Sequence, residues 1–258
     1  MDGKSTPLDI VCFGECMIEL SRVPGSTHWR MGFAGDTANV AIYCARAGAQ
    51  VSYLSAVGRD IYSAELRRFI ASEGVGCELL IEHPDRVPGL YAIRTDERGE
   101  RSFTYWREQS AARDFFALQA AEPALDRAAG ARMLYLSGIT LSLFDVAGLA
   151  RVAQFARKVR AGGGEVAFDS NYRARGWADA EAARAAFASI ASLCTIVLPT
   201  FEDEAALFGD RDPAESAARW HQAGARLVVV KQGDTGALLS CAGDPPWLIP
   251  CPAVRSAC

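Results

Sequence analysis

The sequence predicts an α/β fold, a mostly parallel sheet with helices on both faces that also carries a small β lid. Short apolar runs such as Leu8 to Phe13, Glu165 to Phe168 and Leu227 to Val230 have the near-continuous hydrophobicity of strands buried on both sides. After residue 34 such runs alternate with helical segments, the order that the crossovers of a parallel sheet demand. Two aromatic-rich stretches interrupt the alternation and read as hairpins, at about 15–34 and 88–110. They do not fit between buried parallel strands, so they are expected to form the lid together.

In chain order, Leu8 to Phe13 is the first strand, and MIELSRVPGSTHWRMGF is the first hairpin, with Pro24-Gly25-Ser26 as its turn. Asp36 or Thr37 is placed to cap a helix running to Gly48, with Val40, Tyr43, Cys44 and Ala47 at helical spacing. Asn39 falls one turn after Asp36, on the same face. Gln50 to Val57 is a strand, followed by a helix to about Ser72. Phe115 to Ala129 has helical composition, Arg132 to Leu136 is a strand, and a helix then runs from the Ser137–Thr140 segment to about Arg160. Beyond the strand ending at Phe168, Asp169, Asn171, Arg173 and Arg175 crowd into seven residues, where open α/β sheets bind ligands. Ala178 to Ser192, Thr200 to Phe208 and Pro213 to Ala223 are helical, with strands at Cys194 to Leu198, Leu227 to Val230, Ala237 to Ser240 and Trp247 to Pro250.

The second hairpin, LYAIRTDERGERSFTYWR from Leu90 to Arg107, turns at Asp96-Glu97-Arg98-Gly99. Strand alternation puts Tyr91, Ile93 and Thr95 on one face of its first strand, and Phe103, Tyr105 and Arg107 on one face of its second. A register pairing residue 93 with 103 makes those faces coincide. The surface would then offer aromatic walls, two phenol hydroxyls and a guanidinium able to grip a carboxylate or phosphate, a cover suited to a small anionic, hydroxylated ligand.

The 258 residues are 50% hydrophobic and 22% charged, enough for a sizeable core in a single domain over 1–258. A net charge of -4 leaves no basic footprint for nucleic acid, and no apolar run approaches the ~20 residues of a membrane span. With no export signal at the start, and eight cysteines lacking a repeated C-x-x-C spacing, a reduced cytoplasm is expected, without structural zinc. There is no G-x-G-x-x-G after the first strand, no P-loop, no G-x-S-x-G and no paired histidines, which removes dinucleotide, P-loop and hydrolase chemistry.

Taken in order, the segments FAGDTANVA, GLY, GERSFTYWR, SAAR, LYLSGITL, VAFDSNYR, LPTFEDEAALFGD and VVVKQGDTGAL resemble the PfkB, or ribokinase-like, carbohydrate kinases, and within them the 2-keto-3-deoxygluconate kinases. The resemblance runs from about residue 9 to 250. It implies a ribokinase-like fold and transfer of the ATP γ-phosphoryl group to the 6-hydroxyl of 2-keto-3-deoxygluconate, with Mg2+. By resemblance, Gly35, Asp36 and Asn39 hold sugar hydroxyls, Tyr91 and Tyr105 line the pocket from the lid, and Arg107 takes the carboxylate. Arg173 is then the catalytic cation that offsets charge on the transferring phosphoryl, beside Asp169 and Asn171. Lys231, Gly233 and Gly236 match the nucleotide loop. The family's N-x-x-E motif is replaced by Thr200-Phe201-Glu202-Asp203, which leaves Asp203 as the candidate metal ligand. The remainder of the acidic run through Glu204 reads as complementing a helix dipole. Lid strands often pair between subunits in this family, so a homo-oligomer through the lid is a further expectation.

One family segment is not found. The late D-T-x-[AG]-[AG]-G-D, whose last Asp deprotonates the acceptor hydroxyl, does not occur before Cys258. Ala34-Gly35-Asp36 belongs to the sugar side, and Ala242-Gly243-Asp244 precedes Pro245-Pro246, which cannot present successive amides. The expectation is therefore a chain truncated at its C-terminus and impaired in phosphoryl transfer. The alternatives are a fructokinase-like or ribokinase-like specificity, or a non-catalytic sugar-acid binding protein.

Overall fold

The computed structural model describes residues 8–95 and 101–252. The turn expected at Asp96–Gly99 lies outside the described residues. The chain divides into two compact units, Met1–Tyr135 and Leu136–Cys258.

The first unit contains β1 (Ile10–Phe13), β2 (Met17–Arg22), β3 (Trp29–Ala34), α1 (Asp36–Arg46), β4 (Val51–Val57), α2 (Ile61–Ser72), β5 (Leu80–Glu82), β6 (Leu90–Thr95), β7 (Arg101–Trp106) and α3 (Ala121–Ala128). Met133–Tyr135 of β8 (Met133–Ser137) pair in parallel with β1, β1 pairs in parallel with β4, and β4 pairs in parallel with β5. All seven residues of β4 are buried, as the apolar run requires of a strand covered on both faces. Asp60 starts α2 by accepting from the Tyr62 and Ser63 amides at 2.9 and 3.1 Å.

The lid is a separate four-stranded sheet, ordered β3-β2-β6-β7. Both hairpins form, and β2 joins them by pairing in parallel with β6. The register pairs Ile93 with Phe103 and Tyr91 with Tyr105, so the two aromatic faces coincide as the alternation predicts. Trp29, Met31 and Trp106 remain exposed on the lid.

The second unit contains α4 (Gly138–Leu141), α5 (Val146–Ala161), β9 (Glu165–Asp169), α6 (Ala180–Ala191), β10 (Ile196–Val197), α7 (Phe201–Phe208), α8 (Pro213–Ala223), β11 (Leu227–Lys231), β12 (Ala237–Cys241) and β13 (Trp247–Ile249). β9, β10 and β11 are parallel, and β12 and β13 add an antiparallel edge. The strand order is β8-β1-β4-β5 in the first unit and β13-β12-β11-β10-β9 in the second. Phe168 of β9 packs edge-on against Phe187 of α6 and beside Trp220 of α8, with centroids at 5.2 and 5.7 Å. Among the described residues, no helix is long and apolar enough to cross a membrane.

Three local expectations are corrected. The helix placed from Thr140 to Arg160 is two helices, because Asp145 accepts from the Gly148 amide at 2.8 Å and starts α5 afresh. The segment Phe115–Ala129 is a 3-10 turn over Ala111–Ala117 followed by α3. The first helix buries Thr37, Ala38, Ala41 and Ile42, leaving Tyr43 68% exposed. Small side chains let that face approach the sheet, whereas of the expected stripe Tyr43 and Ala47 are exposed and Val40 and Cys44 only half-buried.

Candidate active site

In the first unit Glu15 lies against both Gly35, at the start of α1, and Arg107, at the base of the lid. Gly35, and neither Asp36 nor Thr37, is the N-cap of α1, and no side chain makes a capping bond. Asp36 is the first helical residue and Asn39 is exposed one turn on. The buried Thr37 hydroxyl meets the Tyr53 hydroxyl at 3.0 Å, tying this helix start to β4. Gly35 is required by close approach: a Cβ there would stand 2.1 Å from the Glu15 carbonyl oxygen. Its φ of -175° is extended backbone that any residue adopts, so space and not conformation selects glycine.

Tyr91, Phe103 and Tyr105 form a ring cluster on one lid face, with Tyr91–Tyr105 centroids at 5.7 Å and Phe103–Tyr105 stacked at 6.3 Å. Tyr105 is 41% exposed, but Tyr91 is buried and its hydroxyl donates to Glu19. Burial, followed by that bond, raises the Tyr91 phenol far above its ordinary range. Glu19 is a site residue that sequence reasoning missed. Its register positions opposite Gly32 and Tyr91 place it on the same face, a signal already present in the alternation of MIELSR.

Arg107 follows β7, and its Nη2 stands 2.5 Å from Glu15 Oε2 in a largely buried pair. Glu15 is the second residue that sequence reasoning missed, since a carboxylate just past a strand end reads as exposed. A Cβ at Gly89 would meet Glu15 Oε1 at 2.7 Å and the Arg107 Cβ at 3.1 Å, so the GLY segment leaves room for this pair.

In the second unit four charged side chains lie at the ends of β9 and β11 and the start of α7. Lys231 Nζ donates to Asp169 Oδ2 at 2.6 Å. Arg173 Nη1 donates to both oxygens of Asp203, at 3.1 and 3.2 Å. Burial pushes the Asp203 carboxyl up, opposed by Arg173 and Lys231 and assisted by Asp169. Among the described non-glycine residues, Asn171 alone has positive φ, at 31°, and its amide donates to Asp169 Oδ1 at 3.2 Å. Strained backbone of this kind collects at ligand sites. Gly233 and Gly236 have φ of 56° and 109°. At Gly236 a Cβ would also lie 2.1 Å from the Ile249 carbonyl oxygen, so this glycine has a packing reason of its own.

The acidic run starting α7 is not a uniform dipole complement. Only Glu202 is an exposed first-turn acid. Asp203 pairs with Arg173, and Glu204, 1% exposed, accepts from Arg219 and from Trp220 Nε1 at 2.9 Å. Arg219 also donates to Asp210 at 2.8 Å and lies 3.7 Å from the Phe208 ring centre. Among the described residues no group of three or more His, Cys, Asp and Glu side chains could hold a metal ion. A pair such as Asp203 and Asp169 suits Mg2+ carried by nucleotide phosphates, because Mg2+ takes one or two carboxylates and fills its remaining positions with phosphate oxygen and water.

A mostly parallel sheet with helices and a separate four-stranded lid sheet is the ribokinase-like fold. The family model described as "pfkB family carbohydrate kinase" matches residues 7–255, and the chain belongs to that family. It is 37% identical over 254 residues to the 2-dehydro-3-deoxygluconokinase of Dickeya dadantii, covering 97% of this chain and 81% of that protein. It is 30% identical over 240 residues to the 2-dehydro-3-deoxygluconokinase of Bacillus subtilis, covering 89% and 72%. Among crystal structures, a PfkB protein from Polaromonas sp. JS666 superposes with a TM-score of 0.83 at 29% identity, over 94% of this chain and 82% of that one. A Xylella fastidiosa fructokinase with bound ATP gives 0.82 at 23% identity, over 96% and 75%, a likeness of fold.

Proposed function

We propose that this carbohydrate kinase acts on a sugar acid, transferring the γ-phosphoryl group of ATP to the 6-hydroxyl of 2-keto-3-deoxygluconate, the compound also called 2-dehydro-3-deoxygluconate. The observation that carries the proposal is a guanidinium, Arg107, at the base of an aromatic lid face bearing Tyr91 and Tyr105. A neutral hexose offers that group nothing, whereas a carboxylate gains charge-assisted hydrogen bonds. The identity with two 2-dehydro-3-deoxygluconokinases supports the same substrate.

In this proposal Asp36 and Asn39 accept and donate hydrogen bonds to the sugar hydroxyls, and Gly35 offers its backbone beside them, the place of its side chain being filled by the Glu15 carbonyl. Arg173 and Lys231 supply positive charge to the phosphates, and Asn171 with Asp169 shapes the loop that carries Arg173. Catalysis of phosphoryl transfer is mostly positioning and charge stabilisation, which these cations suit. Mg2+ held by Asp203 together with the nucleotide would neutralise phosphate charge. No residue of the 258 is assigned as the base for the hydroxyl proton. Self-association through the exposed lid residues Trp29, Met31 and Trp106 belongs to the same proposal.

Isothermal titration and ADP release with 2-keto-3-deoxygluconate, gluconate, fructose and ribose test it. Binding of the sugar acids well above the neutral sugars is expected. Preference for fructose or ribose would overturn the substrate assignment.

A further inference from the structure

Glu15 links every segment assigned to the sugar side. It lies between β1 and β2, is 3% exposed, and stands 2.5 Å from Arg107 Nη2. Its seat is closed by two glycines. A Cβ at Gly35, ahead of Asp36, would strike its carbonyl oxygen at 2.1 Å, and a Cβ at Gly89, ahead of Tyr91, would approach Oε1 to 2.7 Å. Neither Glu15 oxygen, nor Arg107 Nε or Nη2, makes a hydrogen bond of good geometry, although all four are buried. The two groups are therefore a close charge pair and not a saturated fork, and a planar guanidinium carries five donors in all.

We propose that Glu15 is a positioning residue that holds the Arg107 guanidinium oriented for the carboxylate of the incoming sugar acid. This rests on the reading of Arg107 as the sugar-acid anchor given above. An arginine side chain without a fixed partner is spread over many rotamers, and a buried cation without a counter-charge is driven toward water. Glu15 removes both tendencies before the ligand arrives, which is preorganisation of the binding group. Its negative charge also repels a second carboxylate. The proposal requires that ordering outweigh this repulsion, and the sign of the effect in a neutral variant decides the matter.

The experiment compares 2-keto-3-deoxygluconate and MgATP binding by calorimetry in the unaltered chain, Glu15→Gln, Arg107→Gln and the double variant, with thermal unfolding of each. Glu15→Gln is expected to weaken sugar-acid binding ~10-fold or more, the scale of one lost charge-assisted bond, while MgATP binding stays within about 2-fold. In the Arg107→Gln background the same change should weaken the sugar acid no further, and should raise the unfolding temperature by removing a stranded carboxylate. A merely structural Glu15 would shift both ligands alike and would act in both backgrounds. If Glu15→Gln does not fold, Glu15→Asp, which keeps the charge but withdraws it by one methylene, is measured in its place and should weaken the sugar acid selectively. Unchanged or tighter sugar-acid binding in the folded Glu15 variant overturns the inference and leaves the substrate proposal standing. Failure of the unaltered chain to bind any sugar acid overturns both.

Discussion

Lys231 Nζ donates to Asp169 Oδ2 at 2.6 Å, joining the end of β11 to the end of β9 across the intervening strand β10. Lysine here is 42% exposed while its partner is largely enclosed, so the ammonium has a fixed root and still reaches solvent. That arrangement suits a point charge offered to a polyphosphate. Lys231→Met should weaken MgATP binding by about 10-fold and leave sugar-acid binding nearly unchanged, by the scale of one lost charged hydrogen bond. Titration of each ligand separately checks it, and equal loss for both would remove Lys231 from the nucleotide side.

Arg107→Leu removes the proposed carboxylate partner and also strands Glu15. Sugar-acid affinity should fall by roughly 1.5 to 3 kcal/mol with little change for MgATP. Stability should fall as well, by roughly 3 to 5 kcal/mol, since one member of a buried pair has been deleted. Calorimetry and urea unfolding read the two effects separately. Unchanged sugar-acid affinity in a folded variant would defeat the assignment.

Asp36 makes no capping bond, so the part of its stability contribution that Asp36→Ala removes at the helix N-terminus is the charge–dipole term, ~0.3 to 1 kcal/mol. A loss of sugar affinity beyond that is expected from the removed acceptor. Normal sugar binding with the small stability loss would leave Asp36 as a dipole complement.

The Asp203 carboxyl is held above its ordinary value of 3.8, chiefly by burial. Folding therefore favours its protonated form, and this contribution to stability is complete below 3.8 and is lost as pH rises through the folded value. Asn cannot titrate, so the stability of the unaltered chain relative to Asp203→Asn should decline as pH rises from the ordinary carboxylate value of 3.8 through the raised folded value and then level off. Urea unfolding across that interval measures it. A difference that grows with pH would mean that Arg173 dominates over burial.

Glu204 is enclosed with Arg219, Asp210 and Trp220. Glu204→Ala leaves Arg219 paired one-to-one with Asp210 but leaves the buried Trp220 indole N–H without its acceptor, so a loss of about 1 to 3 kcal/mol is expected in urea unfolding. A change under about 1 kcal/mol would show that solvent reaches the network.

The sequence by itself determined the alternation of strands and helices, the two lid hairpins and which residues share a face of each lid strand, because these depend on periodicities of two and 3.6 residues that local spacing expresses, whereas the register that sets Tyr91 opposite Tyr105 came from the structure. It also placed Asp36, Arg107, Arg173 and Lys231 at element ends, where backbone direction alone brings polar groups together. Tertiary structure decided which of these charges are already engaged. Glu15, Glu19 and Glu204 are ordinary acidic residues in one dimension, and their partners Arg107, Tyr91 and Arg219 stand 92, 72 and 15 residues away. Likewise Gly35 reads as a flexible or capping position, yet its reason is the Glu15 carbonyl that another segment brings against it. Burial and long-range charge pairing are sums over neighbours that no local pattern contains. The chain order therefore announced where the polar groups gather, and only packing fixed which of them bind each other and which are left to bind a ligand.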